Sequence, residues 1–533
     1  MSLRRIGQYL RISLRFSNGF ILALLSLMLL VGNVIYGAVG LRGTDQYWYV
    51  GDLRMSKITG MPVTNAIYPT AIRLNAKASL EALPPRIHNV PVTYLADLVY
   101  RIGATDYLAW VYVNFFISLI VAASVYLVAK SQRYHTAYIA SAFFLSFPLT
   151  LWLSINALAD MSLALGSSLL LLGAAILSRT LENSEERTWL GLLITALGSL
   201  LMFYTRDNYV LLFPAQVVVT FWVCRSHRKR WISATSILVV TGLLAALKPV
   251  FFPQYVNSGT MSALMSGTPS DNILMSSYNH LSHVPFSASE LFVKAVDGLR
   301  NAVLPTGPSE VITVTLVVIV AVAALYVFRK DHNSRILRFW MFVVIFIYLT
   351  TAAFFQSQDR YIFALVPFVA VFGAGLMDRI IVRSSHRSLR ILSLASVWLL
   401  IACVFASFLM ARSYRTEATT AVVQNTKLVA GLAGEPSGSV LAVTETSQLL
   451  PLTYAAVPRP VLALDPRINS SAEAAHLIQD WKVRVLVGAT TADFQYLTHA
   501  VDLAFDGRAR LIPQSSYGTP GGLIKLWLIE LKA

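Results

Sequence analysis

Stretches of roughly 20 apolar residues recur between Phe20 and Met410, separated by short polar connections. Coiled as a helix rising about 1.5 Å per residue, each is long enough to cross a hydrocarbon core of roughly 30 Å. The pattern predicts about eleven spans, over 19–40, 108–129, 135–153, 158–178, 188–204, 208–224, 231–251, 311–328, 337–356, 360–378 and 390–411. The first lacks a small-residue cleavage site and reads as a span rather than a removed leader.

Three longer segments interrupt the series. In 41–107, Leu95, Leu98, Val99 and Ile102 share one helical face while Asp97 and Arg101 lie on another, which predicts an amphipathic helix flat on a membrane surface. The segment 252–310 is rich in Ser, Asn, Gly and Pro and reads as a long loop with one helix near 287–301. In 412–533, the short apolar runs of GSVLAVTE, RPVLALD, VRVLVGA and LIKLWLIEL predict strands, and SAEAAHLIQDW predicts a helix among them. Strands alternating with helix make this a small α/β domain following a membrane domain of residues 1–411.

Composition agrees with the pattern: of 533 residues, 56% are hydrophobic and 13% charged, with a mean hydropathy of +0.61. The net charge of +16 raises the question of nucleic acid, and its placement answers it. Lys and Arg gather before the first span and in alternate connections, at Lys130 and Arg133, Arg179 and Arg187, Arg225 to Arg230, Arg329 to Arg338 and Arg379 to Arg390. The intervening short loops hold only Arg206 and Arg360. That asymmetry is an orientation signal, which predicts a cytoplasmic N-terminus, places all three long segments outside and leaves no support for nucleic-acid binding. Cys224 and Cys403 fall in or beside spans, so neither a disulfide framework nor a cysteine metal site follows.

Against this apolar background the ionisable groups of the outer connections stand out, because an unpaired charge at a membrane boundary costs several kcal/mol. Asp45 and Asp52 follow the first span in RGTDQYWYVGDLRMSKITGMP; Asp160 closes SINALAD; Arg206 and Asp207 lie in YTRDNYV; Asp359, Arg360 and Tyr361 lie in QSQDRYIFALVPF. Each has a structural alternative. Asp45 after Thr44 can cap a helix, Asp160 can start one, and Arg206 and Arg360 can anchor helix ends at the headgroups. Asp52, Arg54 and His88 read most simply as solvated groups, and Tyr47 to Tyr49 as an interfacial aromatic belt that could also stack on sugars. His280 and His283 have ligand-like spacing inside a polar loop. FGAGLMD follows no strand, so it is not a dinucleotide site.

Taken together, TDQYWYVGDLRMSKITGMP, PPRIHNVPVTYLADLVYRI, ALADMSLALG and DRYIFALVPF resemble, in order and on one side, the motifs of the GT-C superfamily of polyprenyl-phosphate-sugar-dependent membrane glycosyltransferases, which includes protein O-mannosyltransferases and aminoarabinose transferases. The resemblance spans roughly residues 19 to 411; at TRDNYV an Arg stands where some members have a Lys. It implies a polytopic α-helical membrane protein of GT-C type with a C-terminal extracytoplasmic α/β domain. The implied reaction is inverting transfer of a sugar from a polyprenyl-phosphate donor to a hydroxyl of a glycan, lipid or protein outside the membrane. On this reading Asp45 is the general base, Arg360, Arg206 and Tyr361 bind the donor phosphate, and Tyr47, Asp52 and His88 contact donor or acceptor. Asp160 orients the acceptor or holds a divalent metal ion, with His280 and His283 as further ligands. Competing readings are a ligase or polymerase of lipid-linked glycans, which carries its main loop late in the chain, and a lipid flippase or transporter, which favours charges at mid-membrane and repeated halves.

Overall fold

A computed structural model describes residues 20–35, 41, 44–60, 71–74, 80–82, 91–135, 137–180, 185–224, 228–247, 293, 296, 299–300, 308–328, 334–354, 359–383, 428, 432, 439–443, 452, 454–456, 459–464, 466, 469–519 and 522–532. Apolar helices occupy ten of the predicted spans; the eleventh, 390–411, lies outside the described residues. They are α1 (Phe20–Ile35), α4 (Asp106–Ser131), the pair α5 (Ala137–Ser146) and α6 (Pro148–Ser154), α7 (Met161–Thr180), α8 (Glu185–Thr205), α9 (Leu212–Val223), α10 (Arg228–Ala246), α11 (Pro308–Val327), α12 (Arg335–Phe354) and α13 (Val366–Arg383). Among the described residues, five helices are long and apolar enough to cross a membrane by themselves, and the pair α5 and α6 makes a sixth, bent by 58° at Pro148.

Small residues let α7 and α8 come close. A Cβ at Gly173 would sit 2.6 Å from Thr195 Cγ2 and 2.7 Å from the Gly191 carbonyl, and one at Gly198 would sit 2.7 Å from the Gly166 carbonyl. Where lipid surrounds a helix pair, such packing supplies the association that the hydrophobic effect cannot. α4, α5, α7 and α13 pack around one apolar core with Trp110, Phe144, Phe363, Phe368 and Phe372 fully buried. At one end of this bundle, Asp378 accepts from the His135 amide at 2.7 Å, Arg379 donates to the Val327 carbonyl at 2.6 Å, and Arg179 donates to the Ser131 carbonyl. The basic connections predicted to be cytoplasmic therefore meet at one end.

The opposite end carries the first-loop helices α2 (Thr44–Thr59) and α3 (Val92–Ile102). α3 turns Tyr94, Leu95, Leu98 and Ile102 outward and spends its polar face on α2, where Asp97 accepts from Ser56 Oγ at 3.2 Å and pairs with Arg101 at 2.8 Å.

The C-terminal part is an α/β unit. Strands β3 (Val440–Val443), β4 (Val461–Leu464) and β5 (Val485–Gly488) are buried throughout, as central parallel strands covered on both faces must be. Alternate residues feed two cores, Val440 and Ala442 on one face and Leu441 and Val443 on the other. Helices α14 (Ser471–Asp480) and α15 (Thr491–Phe505) open with capping boxes, Ser470 with Glu473 and Thr490 with Asp493. Hairpin β6 (Ala509–Thr519) and β7 (Gly522–Leu531) completes one side.

The other side is completed from far away in the chain. Strands β1 (Ala71–Leu74) and β2 (Leu80–Ala82) of the first long loop extend the sheet, giving the order β2-β1-β4-β3-β5-β7-β6. β1 runs parallel to β4 with Ile72 opposite Leu462. The loop read as part of the membrane domain thus shares a sheet with the α/β unit.

Candidate active site

The site is organised by a stretch of backbone that is not helical. After Pro148 bends the α5–α6 pair, the chain leaves helix at Ser154 and re-enters it at Met161. Between apolar helices, the peptide groups freed by such a break need partners. Asn114 of α4 supplies them: its Nδ2 donates to the carbonyls of Asn156 at 2.8 Å and Leu158 at 3.0 Å. Tyr107 donates its hydroxyl to the Ile155 carbonyl. The Asn156 side chain in turn donates to the Trp152 carbonyl at 2.5 Å and accepts from Gln46 Nε2 at 2.7 Å. Gln46 stands next to Asp45, so this bond seats the first turn of α2 on the non-helical stretch.

Asp160 ends that stretch. Its Oδ1 accepts from Arg206 Nη2 at 2.7 Å and Nε at 3.2 Å. Arg206 occupies the turn between α8 and the 3₁₀ turn Asp207–Leu211, in extended conformation with φ −153 and ψ 130. Both residues are buried, Asp160 at 1% and Arg206 at 6% exposure, so each charge helps offset the desolvation of the other. The guanidinium carbon lies 4.0 Å from the ring centre of Tyr361, which sits in the 3₁₀ turn Asp359–Leu365 leading into α13. A second bond ties the same two helix ends, Ser162 Oγ to Thr205 Oγ1 at 2.8 Å. A chain of contacts thus links four segments distant in sequence: the first turn of α2, the 155–160 stretch, the end of α8 and the turn before α13.

By sequence, no family model and no curated protein matches the chain. Solved structures do match by shape. ArnT from Cupriavidus metallidurans bound to undecaprenyl phosphate superposes with a TM-score of 0.60 at 11% identity, over 95% of this chain and 97% of that one. The apo oligosaccharyltransferase of Archaeoglobus fulgidus gives 0.52 at 11% identity, over 95% of this chain and 74% of that one. The arabinofuranosyltransferase AftD from Mycobacteria gives 0.51 at 14% identity, over 96% of this chain and 41% of that one. The fold is GT-C.

Within this GT-C fold the predicted residues divide. Asp160, Arg206 and Tyr361 are brought together. Asp45 is the second residue of α2 and Arg360 the second of the turn at 359–365, while the side chains of both, like that of Asp207, lie outside the described residues. His88, His280 and His283 lie outside them altogether.

Two expectations are corrected. Asp52 is not a solvated group: it is 1% exposed, on a helix buried on most of its faces. Tyr47 and Tyr49 do not form an interfacial belt, because they are 0% and 6% exposed, and Tyr49 packs edge-on against Trp110 with ring centres 5.1 Å apart. Asp160 pairs through Oδ1 with Arg206. Among the described residues, no group of three or more His, Cys, Asp and Glu is placed to hold a metal ion.

Sequence reasoning passed over Asn114, Gln46, Tyr107, Asp106 and Tyr454. A lone Asn inside the apolar run WVYVNFFISLI was a usable signal, since a buried amide in a span asks for a partner. Tyr454 carried none.

Proposed function

We propose that this chain is an inverting glycosyltransferase of the membrane, which moves a sugar from a polyprenyl-phosphate donor to an acceptor hydroxyl of a glycan, lipid or protein on the extracytoplasmic side. The observation that carries the reading is the Gln46–Asn156 bond of 2.7 Å. It seats the turn bearing Asp45 on the stretch that ends in Asp160, at the same end of the bundle as Arg206 and Tyr361. The GT-C fold, shared with ArnT bound to undecaprenyl phosphate, supports a lipid-phosphate donor, and the one-sided basic connections support the outward placement of the site.

In this reaction the acceptor oxygen attacks the anomeric carbon, the carbon–oxygen bond to the lipid phosphate breaks, and the bonding pair leaves with the phosphate. Asp45 takes the acceptor proton, as a carboxylate within hydrogen-bond reach can do at neutral pH. Arg360 and Arg206 face the phosphate, whose negative charge grows as the bond breaks and is best met by fixed cations in a low-dielectric site. Asp160 holds the Arg206 guanidinium on its rim, and the Tyr361 ring fixes its plane.

The test is transfer of radiolabelled sugar by purified protein from defined polyprenyl-phosphate sugars. Asp45→Asn should reduce turnover by at least about a hundredfold, the range expected for loss of a general base. Full activity in that variant removes Asp45 from the mechanism. Lipid movement without cleavage of the sugar–phosphate bond would instead identify a flippase.

A further inference from the structure

Residues 452–456 contain neighbours that belong to different cores. Leu452, Ala455 and Ala456 are buried in the α/β unit, with the β3, β4 and β5 side chains. Tyr454, between them in sequence, packs against the core of the helical bundle instead. Its ring meets that of Tyr47 edge-on with centres 5.7 Å apart, and the Arg54 guanidinium carbon stands 5.1 Å from the same ring. Tyr47 and Arg54 are two turns apart on one face of α2, so Tyr454 lies along that face. Arg54 Nη1 also donates to the Tyr454 carbonyl at 3.3 Å. The phenol donates to Asp106 Oδ2 at 2.9 Å, at the start of α4. Burial, then the nearby Asp106 carboxylate, pushes its pKa well above that of a free tyrosine, so the hydroxyl keeps its proton and donates.

We infer that Tyr454 is a positioning residue: it pins α2, and with it Asp45, between the α/β unit and the start of α4. One short part of the α/β unit holds the first loop twice. Tyr454 holds α2 by its side chain, and β4, beginning at Val461, holds β1 by main-chain pairing. A helix carried on a loop is free to shift, and shifts of about an ångström in a reacting group reduce turnover heavily. Two fixed points on a folded domain remove that freedom. The kinetic consequence rests on the transferase reading; the mechanical one does not.

The experiment uses the full chain in lipid nanodiscs and reads hydrogen exchange of residues 44–59 beside sugar transfer. Tyr454→Phe keeps the ring against Tyr47 and Arg54 and removes only the bond to Asp106. It should speed exchange in 44–59 by about tenfold, the effect of one hydrogen bond to a charged acceptor, with exchange in α7 unchanged. Turnover should fall by a similar factor while the donor KM holds. Asp106→Ala should match it, the double variant should be no worse than either single one, and Asp106→Asn, which keeps an accepting oxygen, should restore most of the loss. Wild-type exchange in 44–59 for both Tyr454→Phe and Tyr454→Ala overturns the inference, even where transfer is seen. Absence of transfer in the wild-type protein fails the transferase reading and leaves the exchange measurement to decide the pin.

Discussion

At the scale of single residues, the Asp160–Arg206 pair sets the sharpest expectation. Two charges this deep stabilise one another, and removing either deprives the other of its ion partner. Asp160→Ala and Arg206→Ala should each lower stability by about 3–5 kcal/mol, whereas Asp160→Leu combined with Arg206→Met should recover most of that loss. Thermal unfolding in detergent checks this; wild-type midpoints in the single variants would show that the charges are solvated after all. The recovered double variant should still fail to transfer sugar, which separates holding the fold from meeting the phosphate. Charge at a span boundary was visible in the sequence as an anomaly, and it marked Asp160 and Arg206, which the structure pairs. Their pairing was not visible, because nothing in SINALAD or YTRDNYV says which arginine a given carboxylate will meet. Asp52, Tyr47 and Tyr49 were misread for a related reason: polar and aromatic residues beside a span look interfacial until a second structural layer covers them, and here that layer includes Tyr454 from the other end of the chain.

At the scale of elements, length and apolarity were enough to place the bundle helices, since few structures other than a helix can carry 20 apolar residues. The 58° bend at Pro148 could be suspected from Pro alone, but the non-helical stretch after α6, whose carbonyls Asn114 and Tyr107 satisfy, could not. In the α/β unit the buried runs VLAV, VLAL and VLVG were legible, and the polar strand β6, with Pro513 and an irregular register before Ser515, was not. Edge strands tolerate such sequences and therefore hide among loops. α7 and α8 offer a direct test of packing. Gly173→Leu has no room beside Thr195 and the Gly191 carbonyl, so it should destabilise the pair by more than about 3 kcal/mol, at or beyond the usual cost of an overpacked core. At Gly242 a Cβ meets nothing within 4 Å, and Gly242→Ala should be neutral or slightly stabilising. Equal melting points for the two variants would mean that the close approach of the helices is not required.

At the scale of the molecule, the sheet joins the two halves alongside the contacts of Tyr454. A reading based on local pattern divides the chain near 411, because the periodicity changes there; β1 and β2 are short, and nothing near them names a partner at Val461. Replacing Ile72 by Pro removes one ladder hydrogen bond of β1. The first loop of Ile72→Pro should become open to protease while the bundle helices stay protected, and transfer should fall by about tenfold, the worth of one buried bond at the upper end of its range. Wild-type protease resistance in the loop would show that the β1–β4 ladder is dispensable.

The same sheet dictates an order of events during synthesis. β1 emerges early, but its parallel neighbour does not exist until the ribosome reaches Val461. At roughly 5–20 residues per second, that is a wait of tens of seconds. Throughout that interval the side of β1 that meets β4 lacks its partner strand. A nascent chain stalled before Val461 would therefore lack the parallel partner of β1, so the first loop is held on the sheet only once β4 of the α/β unit has been made.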